Sequence, residues 1–294
     1  MTPTEAPVGR LVVCPTPIGN LDDVTLRALD ALRGADVVAC EDTRHTRVLL
    51  ARHGISVALV SFHEHNERAR TDELVARIDG GAVVVLVSDA GMPLVSDPGF
   101  ALVRGALAAG LPVEVLPGPS SVLTALVASG LPAERWRFVG FLPRARGELA
   151  ALFAGATETL VAFESPRRLA ATLELLAGSD PERAVAVCRE LTKLHEEVRR
   201  GSAAELAEHY RHAPARGEVV LVCGAGTGQR VSLQDALAVL RDLIDAGARM
   251  RPAAAAVAKL TGLRANELYQ GLMRAAEELS SPEGLDPHSR RTKR

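Results

Sequence analysis

The sequence predicts an α/β protein with two successive sheet-bearing domains, a parallel five-stranded sheet and then a mixed sheet, followed by a small helical unit. Three observations carry this. Short Val- and Leu-rich runs without polar alternation recur through the first ~130 residues, each followed by an amphipathic stretch; strands covered on both faces look like this. Two later runs are joined by only a few residues, too few for a parallel crossover. The last segment has helical periodicity and no strand-like run.

In order, RLVVC (10–14), DVVAC (36–40), SVALV (56–60), AVVVLV (82–87) and PVEVL (112–116) are the strands of a first domain over 10–132. Helices are expected at 24–33, 43–53, 66–79, 97–109 and 120–130. Strand–helix repetition of this kind binds ligands at the carboxyl ends of the strands. A second α/β domain, 133–224, takes WRFVGFL, TLVAFE, AVAVCREL, HEEVRRG and EVVLVCG as strands. The pair near 184–190 and 195–200, joined through Thr192, Lys193 and Leu194, is antiparallel, so this sheet is mixed. GAGTGQRV (224–231) is a glycine-rich linker. Its G-x-G-x-G spacing and its place before an all-helical segment exclude the dinucleotide fingerprint. The third unit spans 232–280. Ser232 caps a helix over 233–246, and helices at 252–260 and 265–279 flank a turn at Thr261 and Gly262, a helix-turn-helix-like arrangement. Residues 1–9 and 281–294 are expected to be disordered.

Composition narrows the function. Thirty-four Lys and Arg against 36 Asp and Glu leave a net charge of −2, which argues against a polyelectrolyte-coating protein. One Trp, two Tyr and six Phe are too few for a base-stacking platform. No apolar run is long enough to span a membrane, and the N-terminus lacks a secretory signal. Cys14, Cys40, Cys188 and Cys223 are far apart and lie in or beside apolar runs. They are expected to be buried free thiols of a cytoplasmic protein, with no disulfide framework and no zinc site.

Polar and glycine-bearing segments follow the strands. Pro15–Leu21 after the first strand is either a rigid cleft wall or an ordinary turn. The long loop after the fourth strand carries Asp89, Gly91 and Met92, where Asp89 is a ligand contact or an Asx-turn residue. Asp97 before Pro98 has the pattern of a helix N-cap, a structural role. Ser120 and Ser121 open a helix whose free amides suit an anion, or they merely cap it. Glu41, Asp42, Arg44 and His45 follow the second strand, and His63, Glu64, His65 and Asn66 the third. The His63/His65 spacing suggests a metal but lacks a third ligand, so cleft lining is the preferred expectation. Phe163, Arg167 and Arg168, then Glu190, Leu191 and Lys193, lie at strand ends of the second domain. Their cations hold phosphates or are solvated surface charge.

TPIGNLDDVTLRAL, CEDTRHTRVLL, FHEHNE, VSDAGMPLVSDPG, EVLPGPSSVLTALVASGLP, FVGFLPR, FESPRRL and CRELTKLHEE follow one another in a fixed order. This series resembles the ribosomal RNA small-subunit methyltransferase I family of the tetrapyrrole methylase superfamily. The resemblance covers roughly 10–225, and the helical tail is similar to that family's C-terminal domain. It implies transfer of a methyl group from S-adenosylmethionine to the ribose 2′-oxygen of a decoding-region cytidine in 16S rRNA, free or in the small ribosomal subunit. It also implies a homodimer and a cofactor folded into the cleft between the two α/β domains. Superfamily cofactor positions map onto Ile18, Asp89, Met92, Ser120 and Ser121, with Gly91 in the same loop and Phe163 and Leu191 from the second domain. Catalytic candidates are Glu41, Asp42, Glu64 and Glu190 as bases and Lys193 as an electrostatic group. Arg44, His63, His65, Asn66, Arg167 and Arg168 are the RNA-side candidates. No metal is required. PTPIGN stands where tetrapyrrole-acting relatives have G-x-G-x-G-D, which counts against a tetrapyrrole substrate. Two other functions fit less well. A small-molecule methylase has no obvious need of the helical unit. A non-enzymatic helix-turn-helix binder would carry more than the 10 Lys and Arg against 8 Asp and Glu found over 232–294.

Overall fold

The structure is a computed structural model that describes residues 9–63, 65–226, 233–261 and 263–280. All ten expected strands form. β1 (Arg10–Val13), β2 (Val37–Cys40), β3 (Leu59–Ser61), β4 (Val83–Leu86) and β5 (Val113–Val115) make a parallel sheet in the order β3-β2-β4-β1-β5. Both faces of the central strands β1, β2 and β4 are buried, which explains their missing polar alternation. Leu11, Val13, Ala39 and Leu86 face α3 (Glu67–Asp79) and α4 (Phe100–Ala108), with Leu74, Ile78 and Leu102 in the same core. Val12, Val38, Cys40 and Val85 face α1 (Leu26–Arg33) and α2 (Thr43–Arg52), meeting Leu32, Leu49 and Leu50. Strand order turns back on itself around β1 and β4, so the loops leaving β1, β4 and β5 open onto the crevice that such a switch creates.

The start of α4 differs from expectation. The helix begins at Phe100 with Gly99 as its N-cap (φ 132°), three residues beyond Asp97. Leu94 and Ser96 adopt left-handed φ values of 72° and 67°, which carry the chain away from a helix before Pro98. The cap comes instead from Glu67, whose Oε1 accepts from the amides of Gly99 (3.1 Å) and Ala101 (3.0 Å). Glu67→Ala is expected to lower the unfolding free energy by about 1–2 kcal/mol, the usual worth of an N-terminal cap. Urea unfolding measures this, and an unchanged midpoint would refute it.

The second sheet runs β6-β7-β10-β8-β9. β6 (Trp136–Phe141) is parallel to β7 (Thr159–Glu164). β10 (Val219–Cys223) inserts antiparallel between β7 and β8 (Ala184–Arg189), and β9 (Glu197–Ser202) hairpins back onto β8. α6 (Arg146–Ala154), α7 (Leu169–Ser179) and α8 (Ala203–His212) pack on one face around Leu149, Phe153, Leu173 and Leu206. The opposite face is covered from the first half of the chain. Val122, Ala125 and Leu126 of α5 (Ser121–Ser129) meet Val161, Ala186, Cys188, Val220 and Val222. Residues through Gly226 are therefore one compact unit, and the boundary expected after 132 is a change of sheet within it.

The second compact unit, Thr227–Arg294, holds α9 (Leu233–Asp245), α10 (Met250–Thr261) and α11 (Ala265–Ser280). They meet through Ala236, Leu240, Ala254, Val257, Leu268 and Leu272. Ser232 and Gly262, expected as cap and turn, lie outside the described residues, as do 1–8, most of the linker and 281–294. Among the described residues, no helix is long and apolar enough to cross a membrane. All four cysteines are free and buried. Burial pushes the Cys14 and Cys223 thiols up to about 12 and Cys188 to about 11, so none is poised to react.

Candidate active site

The loops leaving β1, β4 and β5 interlock. Thr16 and Gly91 exchange backbone hydrogen bonds of 2.9 and 3.0 Å. The Thr16 hydroxyl donates to the Ser88 carbonyl, and the Ser88 hydroxyl donates to the Gly91 carbonyl, each at 3.0 Å. Gly91 sits at φ +80°, where a Cβ would stand 3.3 Å from Ile18 Cγ2. At Gly118 a Cβ would stand 2.4 Å from the Cγ of Pro15, so only hydrogen fits between the β5 loop and the β1 loop. The β1 loop, open between cleft wall and ordinary turn, is thus braced against the β4 and β5 loops, and it is those two that supply the wall's cleft-lining residues.

Against that wall lies a cleft of about 440 Å³, within the size range of small-molecule sites. Residues 90–92, 95–97 and 120–122 line one side; Phe141, 163–166 and 217–220 line the other. Of the expected cofactor residues, Gly91, Met92, Ser120, Ser121 and Phe163 line the cleft. Ile18 and Leu191 are buried together in the apolar seam behind it. Asp89 stands just before the lining, accepting from the Asp42 amide (3.0 Å) and pairing with His45 Nδ1 at 3.2 Å. Ser120 caps α5, its hydroxyl oxygen accepting from the Leu123 amide at 3.4 Å.

The sequence offers Asp97 only as a cap and marks neither Phe141 nor Gly217–Val220 as cleft residues, yet all of them line the cleft. Phe141 follows a bulge at Gly140 (φ +67°) that turns its exposed ring edge-on to Phe163 at 5.4 Å. The G-F pair at the end of a strand was the available signal. Gly217, at φ +77°, packs where a Cβ would lie 2.3 Å from the Glu190 carboxyl, which no local pattern announces.

Asp97 is the main correction. Rather than capping α4, Asp97 stands among the residues that line the cleft. Burial, then the neighbouring Glu41 and Asp89 carboxylates, push it up to about 7, with Ser88 opposing. Glu41 is also raised, by burial and then by Asp89, with His63 opposing.

The remaining candidates divide by how they are engaged. Asp42 is the N-cap of α2, and Arg44 donates to it from its backbone (2.8 Å) and from Nη2 (2.5 Å), holding the carboxyl well below the usual range. Glu190, at φ 51°, accepts from the Glu218 amide (2.8 Å) and from Lys193 (3.0 Å) and is lowered, chiefly by that amide. Lys193 also reaches Glu218 at 3.0 Å; burial disfavours its charge, but the two carboxylates outweigh this and its pKa rises. Glu190 and Lys193 therefore form a clamp between the β8–β9 turn and the start of β10. Asn66 is built into its own loop, accepting from the His63 amide (2.9 Å) and donating to the Ser61 carbonyl (3.1 Å). Arg168 donates to the carbonyls of Leu142 (3.2 Å) and Pro143 (2.6 Å) and pairs with Glu164 at 3.4 Å. Arg167 and His65 are exposed, and His63 Nδ1 is buried without a partner. Glu64 lies outside the described residues. Among the described residues, no cluster of His, Cys, Asp or Glu has a metal-holding arrangement.

The sequence profile of the Tetrapyrrole (Corrin/Porphyrin) Methylases matches residues 10–207. The ribosomal RNA small subunit methyltransferase I of Mesorhizobium japonicum is 45% identical over 285 residues, covering 93% of this chain and 95% of that protein. Uroporphyrin-III-C-methyltransferase from Thermus thermophilus superposes with a TM-score of 0.55 at 26% identity, over 74% of this chain and 94% of that one. A structure of the same enzyme complexed with S-adenyl homocysteine gives 0.53 at 24% identity, over 76% of this chain and all of the other. With its paired sheets, interlocked loops and near full-length match, the chain belongs to the tetrapyrrole methylases and, within them, to the ribosomal RNA small subunit methyltransferase I family.

Proposed function

We propose that this protein transfers a methyl group from S-adenosylmethionine to the ribose 2′-oxygen of a decoding-region cytidine in 16S rRNA, acting in the cytoplasm as a homodimer. One observation favours RNA over a small molecule. The uroporphyrin enzyme uses 94% of its own length to match 74% of this chain, whereas the ribosomal RNA relative matches 93% of it. The remainder, about a quarter of the chain, has the size of the Thr227–Arg294 unit. A methylase of small substrates has no obvious need of that unit.

The cleft fits the cofactor. Gly91 leaves open a position that any side chain would crowd against Ile18. The free amides at the start of α5, beside Ser120 and Ser121, suit a carboxylate. Met92, Val95, Phe141, Phe163 and Val220 offer carbon surface to a flat ring. When bound, the cofactor supplies a methyl carbon on a positively charged sulfur. The chain's own contribution is to fix that carbon against the acceptor oxygen, exclude water and take up a proton. Positioning is the larger part, because aligning two reactants removes much of the barrier. Arg167 and His65 are exposed and able to meet phosphate.

The test is transfer from methyl-labelled cofactor to 16S rRNA, naked and within small-subunit particles, followed by mapping of the modified ribose. Label on a cytidine 2′-oxygen is expected in at least one substrate. Label on a base, or on neither substrate, refutes the proposal.

A further inference from the structure

We propose that Asp97 is the catalytic base, the group that takes the proton from the acceptor hydroxyl; this rests on the methyl-transfer function proposed above. Three carboxylates line the cleft: Asp97, Glu164 and Glu218. Glu164 has both oxygens committed, Oε1 to the Ser165 amide (2.7 Å) and Oε2 to the Thr172 hydroxyl (2.6 Å), with Arg168 alongside. Glu218 is paired with Lys193. Asp97 has Ser88 beside it, whose hydroxyl already donates to the Gly91 carbonyl, and among the described residues no cation pairs with it.

Its place in the chain adds to this. Asp97 stands on the same wall as Met92, on a loop that two left-handed residues, Leu94 and Ser96, hold out of the following helix. Backbone strain of this kind persists where surrounding structure enforces it. Here the loop places Asp97 on the cleft wall instead of at the start of α4, leaving Glu67 to cap the helix.

The step balances without a further reagent. The ribose oxygen forms the new O–C bond as the C–S bond breaks, and that electron pair stays on sulfur, which becomes neutral. The hydroxyl proton passes to the Asp97 carboxylate and then to solvent. A base works best when its pKa is near the operating pH. The groups facing Asp97 are Glu41 at the end of β2, and Asp89 and Ser88 after β4; those facing Glu41 are Asp42, Asp89 and His63. Burial, and then the Glu41 and Asp89 carboxylates, disfavour its ionised form, so the rate should climb with pH through about 7 and then level off.

The experiment compares full-length wild type, Asp97→Asn and Asp97→Glu. Asp97→Asn is expected to keep cofactor affinity within about threefold by calorimetry while losing about 10²–10⁴-fold in methyl transfer, the usual worth of a general base. Asp97→Glu should recover part of the rate with an altered pH profile. Independently of turnover, carboxyl-carbon NMR on the cofactor-free wild type should show one side chain titrating near neutral pH, absent from Asp97→Asn. Transfer by Asp97→Asn within threefold of wild type overturns the proposal, as does a parallel loss of cofactor affinity. If Asp97→Asn does not fold, the wild-type titration decides, and no carboxyl titrating near neutrality overturns it. Failure of the wild type to methylate RNA would instead remove the proposed function, and the titration would still report on Asp97.

Discussion

Gly118→Ala is expected to reduce methyl transfer by about a hundredfold while leaving the protein folded. The added Cβ would stand 2.4 Å from Cγ and 3.0 Å from Cβ of Pro15. Pro15 is a ring fixed to its own backbone and has no flexible end to swing away. The β5 loop must move instead, and it carries Ser120 and Ser121 on the cleft wall. A displacement of about 1 Å at positioning residues costs on the order of 10²-fold. Cofactor affinity by calorimetry should fall with the rate, because the displaced residues line the cofactor's cleft. If both stay within threefold of wild type, the loop can yield without disturbing the site.

Glu164→Ala is expected to destabilise the protein by about 3 kcal/mol, the scale for breaking a buried charge pair. Glu164 is 3% exposed, and its loss strands the Ser165 amide, the Thr172 hydroxyl and one partner of Arg168. Chemical denaturation of the purified variant measures this, and a loss below about 1 kcal/mol would show that water or repacking replaces the network. The same change should loosen residues 163–166, one side of the cleft.

Much of the fold was legible because its signals are local. The central strands β1, β2 and β4 announce themselves as apolar runs, since both their faces are covered. The short link between β8 and β9 dictated their antiparallel pairing. The helices of the second sheet were harder: α7 reads LAATLELLAGS, apolar over most of its circumference, and presents no clean amphipathic stripe. In the cleft, loops after parallel strands were recognisable as ligand-facing, and Gly91, Met92, Ser120, Ser121 and Phe163 line it. Asp97 escapes such a reading because Asp-Pro is a sound capping pattern. It was displaced by a distant competitor, Glu67, and by two left-handed residues that no sequence rule requires. Glu190 and Lys193, candidates for a base and an electrostatic group, hold each other and the start of β10. Such pairings depend on segments far apart in the chain, and residue type alone cannot disclose them.

The role of α5 bears on how the protein emerges from synthesis. Val122, Ala125 and Leu126 belong to the first half of the chain, but they are shielded by strands that end at Cys223. At about 5–20 residues per second, the roughly 100 residues in between take on the order of 5–20 s to be made. Throughout that interval the first sheet can be complete while one helix still presents an oily stripe with nothing to cover it. The nascent chain is then most exposed to misassociation, and a chaperone that shelters apolar helices would have its natural window there. A stop placed between α5 and β10 should for the same reason yield an aggregating fragment rather than a smaller soluble one.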